Sequence, residues 1–191
     1  MKLIHALKEW AIAVDALEHG KIILLLRKGG IHEQGKAFTV THNPILLYPT
    51  YEHQKTELLK PAYATQVQPV SSGWHPAMVR IGAWAQITNI FRISEEPIVT
   101  ALLPYHIWNH QFAQERFGWK PRQPLYVLLL RTYKLLQAQE IPYRAEYGGC
   151  KSWIDLAEPI SLEKSLPVLS DIEYSKQVTE ICDKIQVDCP V

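Results

Sequence analysis

The sequence predicts an α+β protein built on a mostly antiparallel sheet or barrel. Three observations carry that expectation. Two segments, "KIILLLRK" (21–28) and "PLYVLLLRTYKLL" (124–136), read as very apolar strands, and the first does not alternate, so both its faces should be buried. A third, "AMVRIGAWAQITNIFRI" (77–93), reads as one long strand or two joined at Gly82. The helical patterns are separated rather than alternating regularly with strands, which argues against a parallel α/β sheet.

Taken in order, residues 4–19 have Ile4, Leu7, Ala11, Val14 and Leu17 at helical spacing, and Gly20 stands where a helix end favours positive φ. The strand at 21–28 follows, then a loop, "GGIHEQGK". "AFTV" (37–40) and "ILLYPTY" (45–51) read as strands joined by the turn residues "THNP". "YEHQKTELLKP" suggests a short helix closed by Pro61, and residues 62–76 a long loop. A helix is expected from Pro104 to Gly118. "EIPYRAEYGGCKSWIDL" reads as a loop and a short strand. Ser170 and Glu173 form a capping-box pattern ahead of a final helix at about 170–186, with Ile172, Val178, Ile181 and Ile185 on one face.

The 191 residues suit one well-cored domain with an appendage: a body over 1–157 and an acidic C-terminal extension over 158–191. Charge divides in a similar way. From Asp155 onward there are eight acids against three lysines, leaving 17 cations and 11 acids in residues 1–154, so the first part carries +6 and the tail −5. A basic body favours an anionic partner. No apolar run is long enough to span a bilayer, and Lys8, Glu9 and Asp15 interrupt the place where a signal peptide needs its apolar stretch. Three cysteines with no Cys-x-x-Cys pair favour reduced thiols and a cytoplasmic protein. No cofactor motif is present, none is expected, and the oligomeric state stays open.

The blocks "ALKEWAIAVDAL", "LLLRKGGI", "LLYPTYEHQ", "PLYVLLLRTY" and "YGGCKSWIDL" resemble an uncharacterised prokaryotic domain-of-unknown-function family, to which no activity is attached. More distantly, the order of helix, glycine, basic strand, "LYPT", "AWAQIT", "LYVLLLRTYKL", "EIPY", Gly-Gly and "SWIDL" resembles ASCH domains of the PUA-like superfamily. Those open with a glycine, a lysine two residues on and an arginine seven residues on. Gly20 and Arg27 keep the glycine–arginine spacing; the lysine position holds Ile22, and Lys21 comes one residue early. The resemblance implies a partly open β-barrel of mostly antiparallel strands with packed helices, and binding of RNA or modified bases beside the barrel. Some ASCH proteins hydrolyse modified nucleosides. The displaced lysine favours binding over that chemistry, because pleating sends neighbouring residues to opposite faces.

The candidate residues follow. Arg27 offers a planar fork for phosphate and Lys28 a point charge, with Gly29 and Gly30 allowing close backbone approach; the structural alternative pairs Arg27 with Glu9 or Asp15. Lys151, in "YGGCKSW", adds a cation, and Trp74 or Trp153 a stacking face. These five residues are the expected ligand-binding set for a non-catalytic RNA- or nucleotide-binding module. The alternatives are a small hydrolase using Lys21 or Lys28 with Glu52, and an assembly module docking through its acidic helix. Glu52 also lies beside His53 in the Tyr48–His53 stretch, where a strand meets a helix. His106 and His110 have metal-ligand spacing if they share a helix, but lack the catalytic Glu of His-Glu-x-x-His, so no metal is expected.

Overall fold

The computed structural model describes residues 1–28, 40–119 and 123–187. Seven strands form one sheet: β1 (Lys2–Trp10), β2 (Leu24–Arg27), β3 (Ile45–Thr50), β4 (Met78–Ile93), β5 (Leu125–Pro142), β6 (Trp153–Ser161) and β7 (Leu166–Pro167). Their order is β2-β5-β4-β3-β1-β6, with β7 added against β5. All pairings are antiparallel except β1 with β3. The helices are α1 (Ala11–Glu18), α2 (Pro61–Ala64), α3 (Glu96–Ala101), α4 (His110–Gly118) and α5 (Asp171–Ile185). The architecture is thus a mixed α+β fold on a mostly antiparallel sheet that is not closed.

Pleating divides the core. In β3, Ile45 and Leu47 face the helices in the larger core, whereas Leu46 and Tyr48 face a smaller one with Val79, Ile81 and Leu156. At β2 and the first part of β5 this alternation disappears: Leu24–Leu26 and Leu125–Leu130 all join the larger core. The sheet curls there and covers both faces, which is why these strands lack a polar side.

Residues 4–19 depart from the expected single helix. Residues 2–10 are a strand, and α1 begins at Ala11 without a loop. Held between β3 and β6, β1 buries Ala6 in one core and Leu7 in the other. A strand buried on both faces has no period-2 signature, so chance helical spacing misleads, and cross-strand pairing overrides local propensity. The helix stop is as expected: Gly20 has φ +65° and the Lys21 amide donates to the Ala16 carbonyl at 2.9 Å. Pro61 opens α2 rather than closing a helix. Asn109 caps α4 by accepting from the Phe112 amide, so that helix starts six residues later than expected, and it ends at Gly118. The capping box of Ser170 and Glu173 is formed. Tyr174, Val178, Ile181, Cys182 and Ile185 seat α5 on the larger core of the same chain, while Ile172 is exposed. Cys150 is a free, exposed thiol, whereas Cys182 is disulfide-bonded, contrary to the expectation of reduced thiols. The loop at 29–36 and most of "AFTV" lie outside the described residues. No described helix is long and apolar enough to cross a membrane.

The long strand β4 is continuous, and its register with β5 shifts around Gly82 and again around Thr88. Over Gly82, Arg80 reaches the buried Glu18 of α1 with two hydrogen bonds of 2.8 and 2.7 Å. A Cβ at Gly82 would lie 2.5 and 2.6 Å from the Glu18 oxygens. Burial pushes Glu18 up, but Arg80 and Lys134 outweigh it and hold the carboxyl below its usual range. Gly82→Ala is therefore expected to break this clamp and destabilise the protein by about 1–3 kcal/mol, read by thermal or urea unfolding.

His106, 1% exposed beside Trp108, supplies a pH effect. Burial, with the Lys60 ammonium adding, lowers its pKa from 6.5 to about 3. The neutral ring is the one that packs. The stability it supports is full above pH 6.5 and falls as the pH drops from 6.5 towards 3, by up to about 1.4 kcal/mol per pH unit. His106→Phe should flatten that part of the stability–pH curve, measured by urea unfolding across this range.

Candidate ligand-binding cleft

β1 and β3 run parallel, in the register Lys8↔Tyr48, Glu9↔Pro49 and Trp10↔Thr50, so both carboxyl ends emerge on one rim. On the same rim β4 begins with Val79 near its start, β5 ends before Tyr143, and the Tyr147–Ser152 loop leads into β6. Together with the turn after β3 and residues 73–76, these segments enclose a cleft of about 540 Å³.

Arg27 stands at its floor. Three strands separate β2 from β1 along the sheet, yet the Arg27 guanidinium donates to Glu9 at 2.9 Å and to the Lys8 carbonyl at 3.3 Å. The contact forms because the sheet curls. Glu9 is thus the structural partner, reached from a strand rather than a helix. Its other oxygen accepts from the Trp10 amide at 2.8 Å. Arg116 of α4 also lines the cleft, its guanidinium 5.1 Å from the Phe112 ring centroid. Burial pushes Arg116 below its ordinary value, Arg27 adds to that, and Glu9 opposes it.

Lys8 is buried, with its ammonium donating to the carbonyls of Tyr147 and Gly149 at 2.6 and 2.8 Å. Burial lowers its pKa. Beside it Tyr48, only 3% exposed, presents a hydroxyl with no hydrogen-bond partner among the described residues; burial pushes that phenol well above its ordinary range. The opposite wall is aromatic. Trp74 is 44% exposed and meets Tyr51 edge-on at 5.8 Å, and His75 stacks on Tyr143 at 3.4 Å. Glu52 accepts from the Gly73 amide at 2.7 Å and from Ser72 at 3.1 Å; the amide bond above all keeps its pKa low, so it is an anion rather than an acid.

Of the residues singled out from sequence, Arg27, Trp74, Lys151 and the Tyr48–His53 stretch with Glu52 line this cleft. Lys28, Trp153 and Lys21 do not. Lys28 is buried against α4, donating to the Phe117 carbonyl and lying 5.4 Å from its ring centroid. Trp153 packs against the larger core. Lys21 is an exposed residue just after α1, outside β2, and no described lysine in the cleft is ion-paired to Glu52. His106 is in extended backbone and His110 opens α4, so they do not form a helical pair. The helical spacing of residues 4–19 hides Lys8 as a site residue and gives Glu9 only as a structural partner. As strand-end residues before an aromatic, they would have marked a rim.

A curled, open, mostly antiparallel sheet with a cationic, aromatic-walled cleft defines an α+β fold with a candidate site at one rim. The chain belongs to the family described as a domain of unknown function, DUF1802, which matches residues 6–180. A comparison with the curated proteins finds no match. Among solved structures, two crystal structures of mutant forms of ZmASCH from Zymomonas mobilis are similar. Both are 13% identical and cover 92% of this chain, and respectively 94% and 96% of theirs, with TM-scores of 0.45 and 0.44.

Removing the floor carboxylate leaves buried guanidinium groups without it. Glu9→Gln, which keeps the side-chain shape, is expected to cost about 3 kcal/mol of stability in chemical unfolding.

Proposed function

We propose that the protein is a non-catalytic module that binds RNA or a nucleotide-like ligand in this cleft. The observation that carries the reading is the unequal charge of the lining: Lys8, Arg27, Arg116 and Lys151 against Glu9 and Glu52, beside the open indole of Trp74. Four cations to two carboxylates leave an excess of +2 for an anion, and the guanidinium groups suit phosphate oxygens. The Trp74 face suits a base. The volume falls within the range of small-ligand pockets, about 300–1,000 Å³. Tyr48 adds a hydroxyl that a ligand acceptor would satisfy.

The test is a fluorescence titration of short single-stranded RNA and DNA at two salt concentrations. Affinity should fall with salt, with a log–log slope of about −0.7 per phosphate neutralised. Arg27→Ala should weaken binding. Because Arg27 also fastens the fold, the exposed Trp74→Ala and Lys151→Ala are the cleaner variants. Trp74→Ala should lose about 1–3 kcal/mol of binding, and Lys151→Ala should flatten the salt slope by about 0.7. Absence of binding, or binding indifferent to all three substitutions, refutes the reading.

A further inference from the structure

A second cluster lies outside the cleft. His5 of β1 and Asp155 of β6 are direct cross-strand partners, at the point where the β1–β6 register shifts between Leu3 and His5. His5 Nδ1 and an Asp155 carboxylate oxygen are 2.7 Å apart. His42, in the segment leading into β3, lies parallel to His5 with ring centroids 3.5 Å apart and an interplanar angle of 6°. One donor atom from each of the three residues falls within 4.8 Å of the others. None of the three lines the cleft.

We propose that His5, His42 and Asp155 form a binding site for a divalent first-row transition-metal ion, with zinc as the best-fitting chemistry. Two imidazole nitrogens and one carboxylate oxygen are the donors such ions take, whereas calcium and magnesium favour all-oxygen sets. In a four-coordinate site with bonds of about 2.0–2.1 Å, donor atoms stand roughly 3.3 Å apart. The His5–Asp155 pair opens slightly to admit the ion. His42 turns out of the stack so that its lone pair, which lies in the ring plane, points at the metal.

The backbone holds these side chains from three different segments. His5 and Asp155 are fixed by the ladder, and the irregularity beside them re-aims the β6 side chains. Next to His42, Asn43 is tied to Ile87 of β4 by two hydrogen bonds of 2.9 Å, one in each direction. The Asp155 side chain is 62% exposed, so solvent reaches the donors and an ion has a path to them. Three protein ligands leave a position for water. The bound ion would clip β1 to β6 and to the segment entering β3, at the end of β1 away from the cleft.

The full chain, stripped with a chelator and desalted, is titrated calorimetrically with zinc and, in parallel, with magnesium. Cobalt serves as a spectroscopic probe of coordination. The expected result is one zinc per chain, a raised melting temperature, visible cobalt bands of a low-coordinate site, and no comparable heat from magnesium. His42→Ala and Asp155→Asn should each weaken zinc binding by more than the roughly 10–100-fold that losing an outer-shell partner costs. Both positions are partly or wholly exposed, and circular dichroism checks that each variant folds. His42→Gln serves if the alanine does not. Failure of the wild type to bind zinc overturns the proposal. So does magnesium binding as well as zinc, or zinc binding that survives both substitutions unchanged.

Discussion

The ion pair between Arg27 and Glu9 joins one edge strand of the sheet to the strand next to the opposite edge. β2 and β1 share no backbone ladder, so a guanidinium and a carboxylate bridge where main-chain bonds do not. Both side chains are largely buried, which makes their mutual satisfaction obligatory rather than decorative. The same pair forms the floor of the cleft. Curling of the sheet and the character of the cleft are therefore one fact: an open barrel whose mouth is held by charge presents charge at that mouth.

Two kinds of polar group line this region. Glu9 and Lys8 make their hydrogen bonds within the protein, and Arg27 uses part of its fork there. Tyr48 holds a hydroxyl that no described residue satisfies. Groups of the first kind shape the cleft, and the second kind is the sort of atom an incoming molecule completes. The aromatic wall is built in the same spirit, with Tyr51 and Tyr143 buttressing Trp74 and His75.

Much of the fold was legible where local chemistry decides the outcome. The aliphatic runs of β2 and β5, the Gly20 stop, the end of α4 and the Ser170–Glu173 box depend on near neighbours in sequence. The first strand was not legible, because its identity comes from β3 and β6 on either side. The cleft divided along the same line. Arg27, Trp74, Lys151 and Glu52 stood out by residue type, but nothing local says that a strand end, two turns and a loop share one rim. Lys28 and Trp153 stood out equally and are packed elsewhere, since a side chain's type does not disclose which way the backbone turns it.

The position of β1 also has a consequence for assembly. This strand has a ladder on both sides, yet one of its partners lies far along the chain: His5 faces Asp155 across a separation of 150 residues. Loops of that length close late and at an entropic cost, so topology of this kind slows folding. Until residues 153–161 arrive, one side of β1 has no ladder, and the apolar β1–β3 pair carries an open edge of the kind that invites pairing with another chain. The rim of the cleft needs Lys8 and the Tyr147–Ser152 loop together, so it is incomplete until these distant segments meet.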